Sequence, residues 1–178
     1  QRACIYGQTE WIKKNHRARN IVMVTHVGDI TQTEHDDEWK IADAAFKTIE
    51  PHVPYVLCSG NHDMGYSPQL RKTCQSRVSQ FSRYFPPSRF TENSLYDAHF
   101  ALDKQGHFRE AGKTENYYLS FQAGGMDFMV ITLEFKPRDE AIAWANQVAE
   151  KHPNHRIVVV THGYLTKKGR LSESEGHP

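Results

Sequence analysis

Three short segments gather groups that bind metal ions or move protons: Gly28-Asp29, Gly60-Asn61-His62-Asp63 and Thr161-His162-Gly163. A carboxylate, an amide oxygen and an imidazole form a mixed oxygen and nitrogen donor set. Such a set suits manganese, iron or zinc rather than an ion selected by thiolates. Eleven histidines point the same way, since imidazole both titrates near neutrality and ligates transition metals.

These groups can act together only if the chain brings them to one place. Residues 21–24 (Ile-Val-Met-Val) form an apolar run of the kind a strand buried on both faces presents, ending at Gly28-Asp29. Trp39, Ala42, Phe46 and Ile49 recur at helical steps over residues 34–50, and Pro51 stops the pattern. "VPYVLCS" then reads as a second strand running into Gly60-Asn61. Strand, helix, strand is a βαβ unit with parallel strands and a right-handed crossover. Both polar clusters then lie beyond the carboxyl ends of neighbouring strands, where open α/β sheets bind ligands. "RIVVVTHGYL" reads as a third strand of the buried type and delivers His162 in the same sense.

Elsewhere, Thr9 caps an expected helix over residues 9–19, and another is expected over 68–81. "YFPPSRF" is excluded from regular structure by Pro86 and Pro87, so residues 65–113 read as an insertion over the cleft. Residues 117–122 and 127–135 form a hairpin through Gly124-Gly125. A helix over 137–151 presents Ile142, Ala145, Val148 and Ala149 on one face.

"GDIT", "GNHD" and "THGY", in that order, together with "LEFKPRDEAIAWANQV", resemble the calcineurin-like metallophosphoesterase family. The resemblance implies an α/β fold, a four-layer αββα sandwich of two mixed β-sheets flanked by helices. It also implies a hydrolase of phosphate esters, monoester or diester, using two divalent or trivalent transition-metal ions (Mn, Fe or Zn) and attack by hydroxide. On that match Asp29 bridges both metals, Asn61 and His162 bind the second, and His62 is the catalytic histidine with Asp63 next to it. Two cations about 3.5–4 Å apart need one shared anion, which Asp29 would supply. A neutral ligand such as Asn61 leaves more positive charge on its ion. His62 cannot easily share the metal of the adjacent Asn61, so it faces the leaving oxygen as proton donor, with Asp63 holding the ring.

The family pattern also carries an Asp-x-His pair before its first Gly-Asp and a Gly-His-x-His segment after the third motif. Neither occurs here, so the expectation is one metallophosphoesterase domain over residues 1–178, truncated at both ends, with weak metal binding and little turnover of its own. A catalytically incomplete binding module and a single-metal hydrolase of another class remain as alternatives. Asp97-Ala-His99 mimics the missing pair in the wrong order, and His177 in the final Gly-His-Pro is a similar accidental candidate. His26 could orient a ligand from behind. Gln32, Glu34, His35, Asp36 and Asp37 form a polar run that helix-start electrostatics explains. Cys58 reads as a small core residue, and Arg89 and Arg138 as ordinary surface or helix-start cations.

The bulk composition fits a soluble globular domain. Of 178 residues, 38% are hydrophobic and 11% aromatic. Lys and Arg number 22 against 21 for Asp and Glu, so no nucleic-acid partner is called for. Cys4, Cys58 and Cys74 form no CxxC pair. No apolar run reaches membrane-spanning length, and no leader segment opens the chain. Relatives of the resembled type are often exported, which implies a periplasmic or secreted setting; oligomeric state is not encoded legibly.

Overall fold

The computed structural model describes residues 2–92 and 108–165. It is a mixed α/β fold with two sheets and flanking helices. Asp97, His99 and His177 lie outside the described residues.

α1 (Arg2–Asn15) begins earlier than expected. Thr9 is not its cap but sits inside it, with Oγ1 donating to the Tyr6 carbonyl at 3.3 Å. The reason is spacing: Ile5, Thr9 and Ile12 share one face, and the two isoleucines pack against the core. β1 (Val24–His26) and β2 (Tyr55–Leu57) pair in parallel around α2 (Asp36–Lys47), as the βαβ pattern requires. α2 turns its periodic apolar residues inward, with Trp39, Ala42, Ala45 and Phe46 buried.

The two strands differ in burial. β2 is wholly enclosed, and one tyrosine satisfies both backbone groups of Leu57: the Tyr117 hydroxyl accepts from its N–H at 2.9 Å and donates to its C=O at 3.2 Å. β1 is not buried on both faces as its sequence predicts. Val22 and Val27, on either side of it, are 45% and 59% exposed.

β3 (Tyr117–Ala123) and β4 (Met126–Thr132) form the expected hairpin, with Gly124 and Gly125 both at positive φ, the conformation that a two-residue turn of this hand demands. β5 (Arg156–Val160) adds to β4 in parallel and completes the order β3-β4-β5. One face of this sheet, through Met129, Ile131 and Ile157, packs on α5 (Asp139–Lys151). The other face, through Tyr117, Leu119, Val130 and Val160, shares a core with β2 and α2. β5 corrects a second expectation: among the described residues it is an outer strand, with β4 on one side, and Val158 and Val159 are 44% and 56% exposed. α5 likewise buries Ala141, Ala145 and Val148, leaving Ile142 exposed, so its inward face is turned by one residue from the expected one.

No helix spans residues 68–81. After a single 3₁₀ turn (Asn61–Asp63) the chain makes an irregular excursion closed by Gly65 N–H to Val78 O and Cys74 N–H to Met64 O, both 2.8 Å. Leu70 and Val78 are exposed there, so the segment has no apolar stripe with which to stabilise a helix. Two one-turn helices follow, α3 (Phe81–Tyr84) and α4 (Ser88–Thr91); they bury Phe81, Phe85 and Phe90 against α2 and β2, so the Pro86-Pro87 region is regular on either side of the prolines. Among the described residues no helix is long and apolar enough to cross a membrane.

Candidate active site

The loops after β1, β2 and β5 converge so closely that two glycines are obligatory. A Cβ on Gly28 would lie 2.8 Å from both Gly60 N and His162 Nδ1, and a Cβ on Gly60 would fall onto the backbone and carboxylate of Asp29. This contact brings Asp29 and His162, 133 residues apart, to an Oδ2 to Nε2 distance of 3.3 Å. Asp29 reaches it from a left-handed backbone, φ +55°. Its other oxygen accepts the His62 backbone N–H at 3.1 Å, so one carboxylate ties the ends of all three strands together.

The tautomer of His162 follows from its second nitrogen. Nδ1 stands 2.6 Å from the Val27 carbonyl oxygen, which only accepts, so Nδ1 carries the hydrogen and Nε2 faces Asp29. With a neutral ring, two lone pairs would oppose each other across 3.3 Å; a proton or a cation is needed between them. In the protonated form the bond to Asp29 leads the effects that raise His162 above its ordinary value, while burial opposes it. Burial pushes Asp29 up, but the hydrogen bonds from His162 and the His62 N–H carry it below the usual carboxylate range. The Asp29 and His162 side chains are 37% and 22% exposed, so an ion from solvent can reach the gap.

Asn61 opens the 3₁₀ turn half-buried, and among the described residues no group of three or more His, Cys, Asp or Glu is close enough to hold an ion. By donor type alone, Asp29, Asn61 and His162 suit a divalent transition metal, and they would supply only part of its coordination shell.

Asp63 is placed differently from expectation. It does not hold the His62 ring. Its fully buried carboxylate accepts from Gly60 N (2.8 Å), Ile30 N (3.1 Å), Thr31 N (2.7 Å) and Thr31 Oγ1 (3.0 Å). Burial raises its pKa and these donors pull it back. The reason for the turn inward is local: the 3₁₀ turn aims residue 63 back at the N–H of residue 60, and the loop after β1 offers three more donors. His62 instead meets Gln32, whose backbone oxygen lies 2.7 Å and side-chain amide 3.0 Å from Nδ1. Thr31 and the Val27 carbonyl are participants that sequence reasoning missed. Thr31 was readable as a hydroxyl two residues after Asp29, but nothing in a sequence marks a carbonyl.

His26 sits behind Asp29, its ring edge-on to Phe46 at 5.7 Å and its Nδ1 buried without a partner among the described residues. Burial lowers its pKa, the charge of Asp29 opposing. Cys58 is fully buried and its thiol is pushed up to about 12, which makes it the inert core residue its position implies. Arg89 is enclosed, paired with Asp43 and Glu50 and stacked over Phe85 at 4.4 Å, so it braces α2 rather than facing solvent. Arg138 is bound to Glu134 through both oxygens, at 2.8 and 3.1 Å.

The ends of strands from both sheets thus bring together the Asp29 carboxylate, the Asn61–Asp63 turn and the His162 ring. The chain belongs to the calcineurin-like phosphoesterase family, whose model matches residues 2–177. It is also similar to the uncharacterised protein YvnB of Bacillus subtilis (strain 168), with 32% identity over 168 residues. That match covers 93% of this chain and 12% of the relative, so the chain spans about an eighth of the length of the relative it matches. The family is one of phosphoester hydrolases that generally use divalent metal ions.

Proposed function

We propose that this chain carries the reaction centre of a metal-dependent hydrolase of phosphate esters, small or polymeric, working with two transition-metal ions in an αββα sandwich. The observation that carries the reading is the Asp29–His162 pair: Nδ1 is committed to Val27, and Nε2 lies 3.3 Å from a carboxylate oxygen, a spacing that two donors on one metal ion can share, with both side chains partly exposed to solvent.

Asp29 would lie between the two ions, with Asn61 and His162 on the second. When bound, the ions supply positive charge that polarises phosphate oxygens and acidifies water. The chain's residues do the rest. The Asp29 carboxylate, held by the His62 N–H, sets the distance between the metal side and the proton-donor side of the cleft. His62 presents Nε2 outward, since Nδ1 is occupied by Gln32, and from there it donates a proton to the departing ester oxygen. Asp63 fixes the relative position of the two loops.

The test pairs 4-nitrophenyl phosphate with bis(4-nitrophenyl) phosphate under added Mn²⁺ or Zn²⁺, using the intact parent polypeptide. His62→Ala should cut kcat by about 100-fold on phenyl phosphate, whose poor leaving group needs the proton, and much less on the 4-nitrophenyl esters, with metal affinity intact, whereas Asp29→Asn should weaken metal binding in calorimetry. Hydrolysis indifferent to chelator and to both substitutions would sink the proposal.

A further inference from the structure

We propose that Gln32 is the positioning residue for His62, fixing which ring nitrogen faces the substrate; this rests on His62 being the proton donor. The Gln32 carbonyl oxygen, 2.7 Å from Nδ1, accepts only, so Nδ1 carries its hydrogen and Nε2 is left as the outward atom. The side-chain amide stands 3.0 Å from the same nitrogen, and a half-turn about its last torsion brings the amide oxygen there as a second acceptor.

Gln32 is itself held. Its N–H donates to Glu38 Oε2 at 3.2 Å, and the same oxygen takes the N–H and hydroxyl of Thr33, at 2.8 and 3.2 Å, and the N–H of His35 at 3.4 Å. Glu38 lies in the first turn of α2, so the helix that buries Trp39 and Phe46 also sets the place of the Gln32 carbonyl. With the Asp63 carboxylate spent on the loop after β1, no carboxylate touches the His62 ring among the described residues. A neutral amide therefore does the work of orienting the ring without adding a negative charge beside it.

The test is a two-bond proton–nitrogen correlation spectrum of the imidazoles in the ¹⁵N-labelled chain at about pH 9, where histidines are neutral. His62 should appear as the Nδ1–H tautomer, which free histidine disfavours. Gln32→Ala keeps the backbone carbonyl and should keep the Nδ1–H tautomer, whereas Glu38→Ala, which releases the Gln32 N–H and its neighbours, should admit the other one, and Glu38→Gln, which keeps an acceptor oxygen, should restore the first. Gln32 is exposed and Glu38 partly so, and a circular dichroism spectrum matching wild type checks that the variants are folded. In the parent polypeptide, Glu38→Ala should lower kcat about 10-fold for aryl phosphates with poor leaving groups and leave 4-nitrophenyl phosphate and KM nearly unchanged. A wild-type His62 in the Nε2–H form, or a Glu38→Ala variant identical to wild type in both tautomer and leaving-group dependence, would overturn the assignment. If no phosphate ester is turned over by the wild type, the functional reading fails while the tautomer result still decides the role of Gln32.

Discussion

β2, with Val56 and Leu57, and β5, with Ile157 to Val160, are both short, mostly apolar strands that each deliver a polar residue to the same cleft, yet they are finished to different degrees. Val56, central in β2, has no solvent exposure, whereas Val159 in β5 is 56% exposed. The loop after β2 is locked by the four donors on Asp63 and by the Ser79 hydroxyl on the Asp63 carbonyl. His162, after β5, is placed by fewer ties: Val27 O and Asp29 on its ring, Thr161 Oγ1 on the Glu134 carbonyl, and Phe135 against Gly163. The loop after β2 is thus fixed by the fold, while His162 is fixed largely by its contacts with Val27, Asp29 and Phe135.

That contrast can be broken or sharpened in descending order of effect. Asp63→Ala strands several buried donors at once and should cost about 3–5 kcal/mol in urea unfolding, with loss of amide protection at Ile30 and Thr31. A loss under 1 kcal/mol would mean that the loops hold without the carboxylate. Next, the same change in the two strands should give unequal results: Val56→Ala about 2 kcal/mol, Val159→Ala within about 0.5 kcal/mol. Equal losses would show that the outer strand is covered in solution. A further, pH-dependent effect concerns Glu134, which is almost wholly buried. Burial pushes its carboxyl up, but the bonds from Arg138 hold it below its ordinary value near 4.5. Its contribution is therefore present above that value and is lost as pH falls through the lowered one. Arg138 is partly exposed, so Glu134→Gln should cost only about 1 kcal/mol near neutrality and nothing in strong acid; a loss that persists in acid would argue for packing instead of charge.

Much of the frame was legible from periodicity. The parallel βαβ unit, the Gly-Gly hairpin and the helix before β5 follow from spacing, because each pattern has one economical way to hide its apolar residues. Burial of β1 and β5 was misread, because an apolar run such as Ile157 to Val159 states what a strand could bury and not what the fold sets against it. The 68–81 helix failed for the converse reason: its polar residues permit a helix but give it no face to dock. At the site, Gly-Asp, Gly-Asn-His-Asp and Thr-His were visible as donors at strand ends. The inward turn of Asp63 and the Gln32–His62 contact were not, since both depend on backbone groups contributed by a loop 30 residues away.

The left-handed backbone of Asp29 shapes how its carboxylate can be interrogated. Asparagine shares the tolerance of aspartate for that conformation, so Asp29→Asn removes the charge and one acceptor oxygen without straining the backbone. Alanine there would add a conformational penalty of about 1 kcal/mol, and a slower enzyme would then report a distorted loop as much as a missing anion.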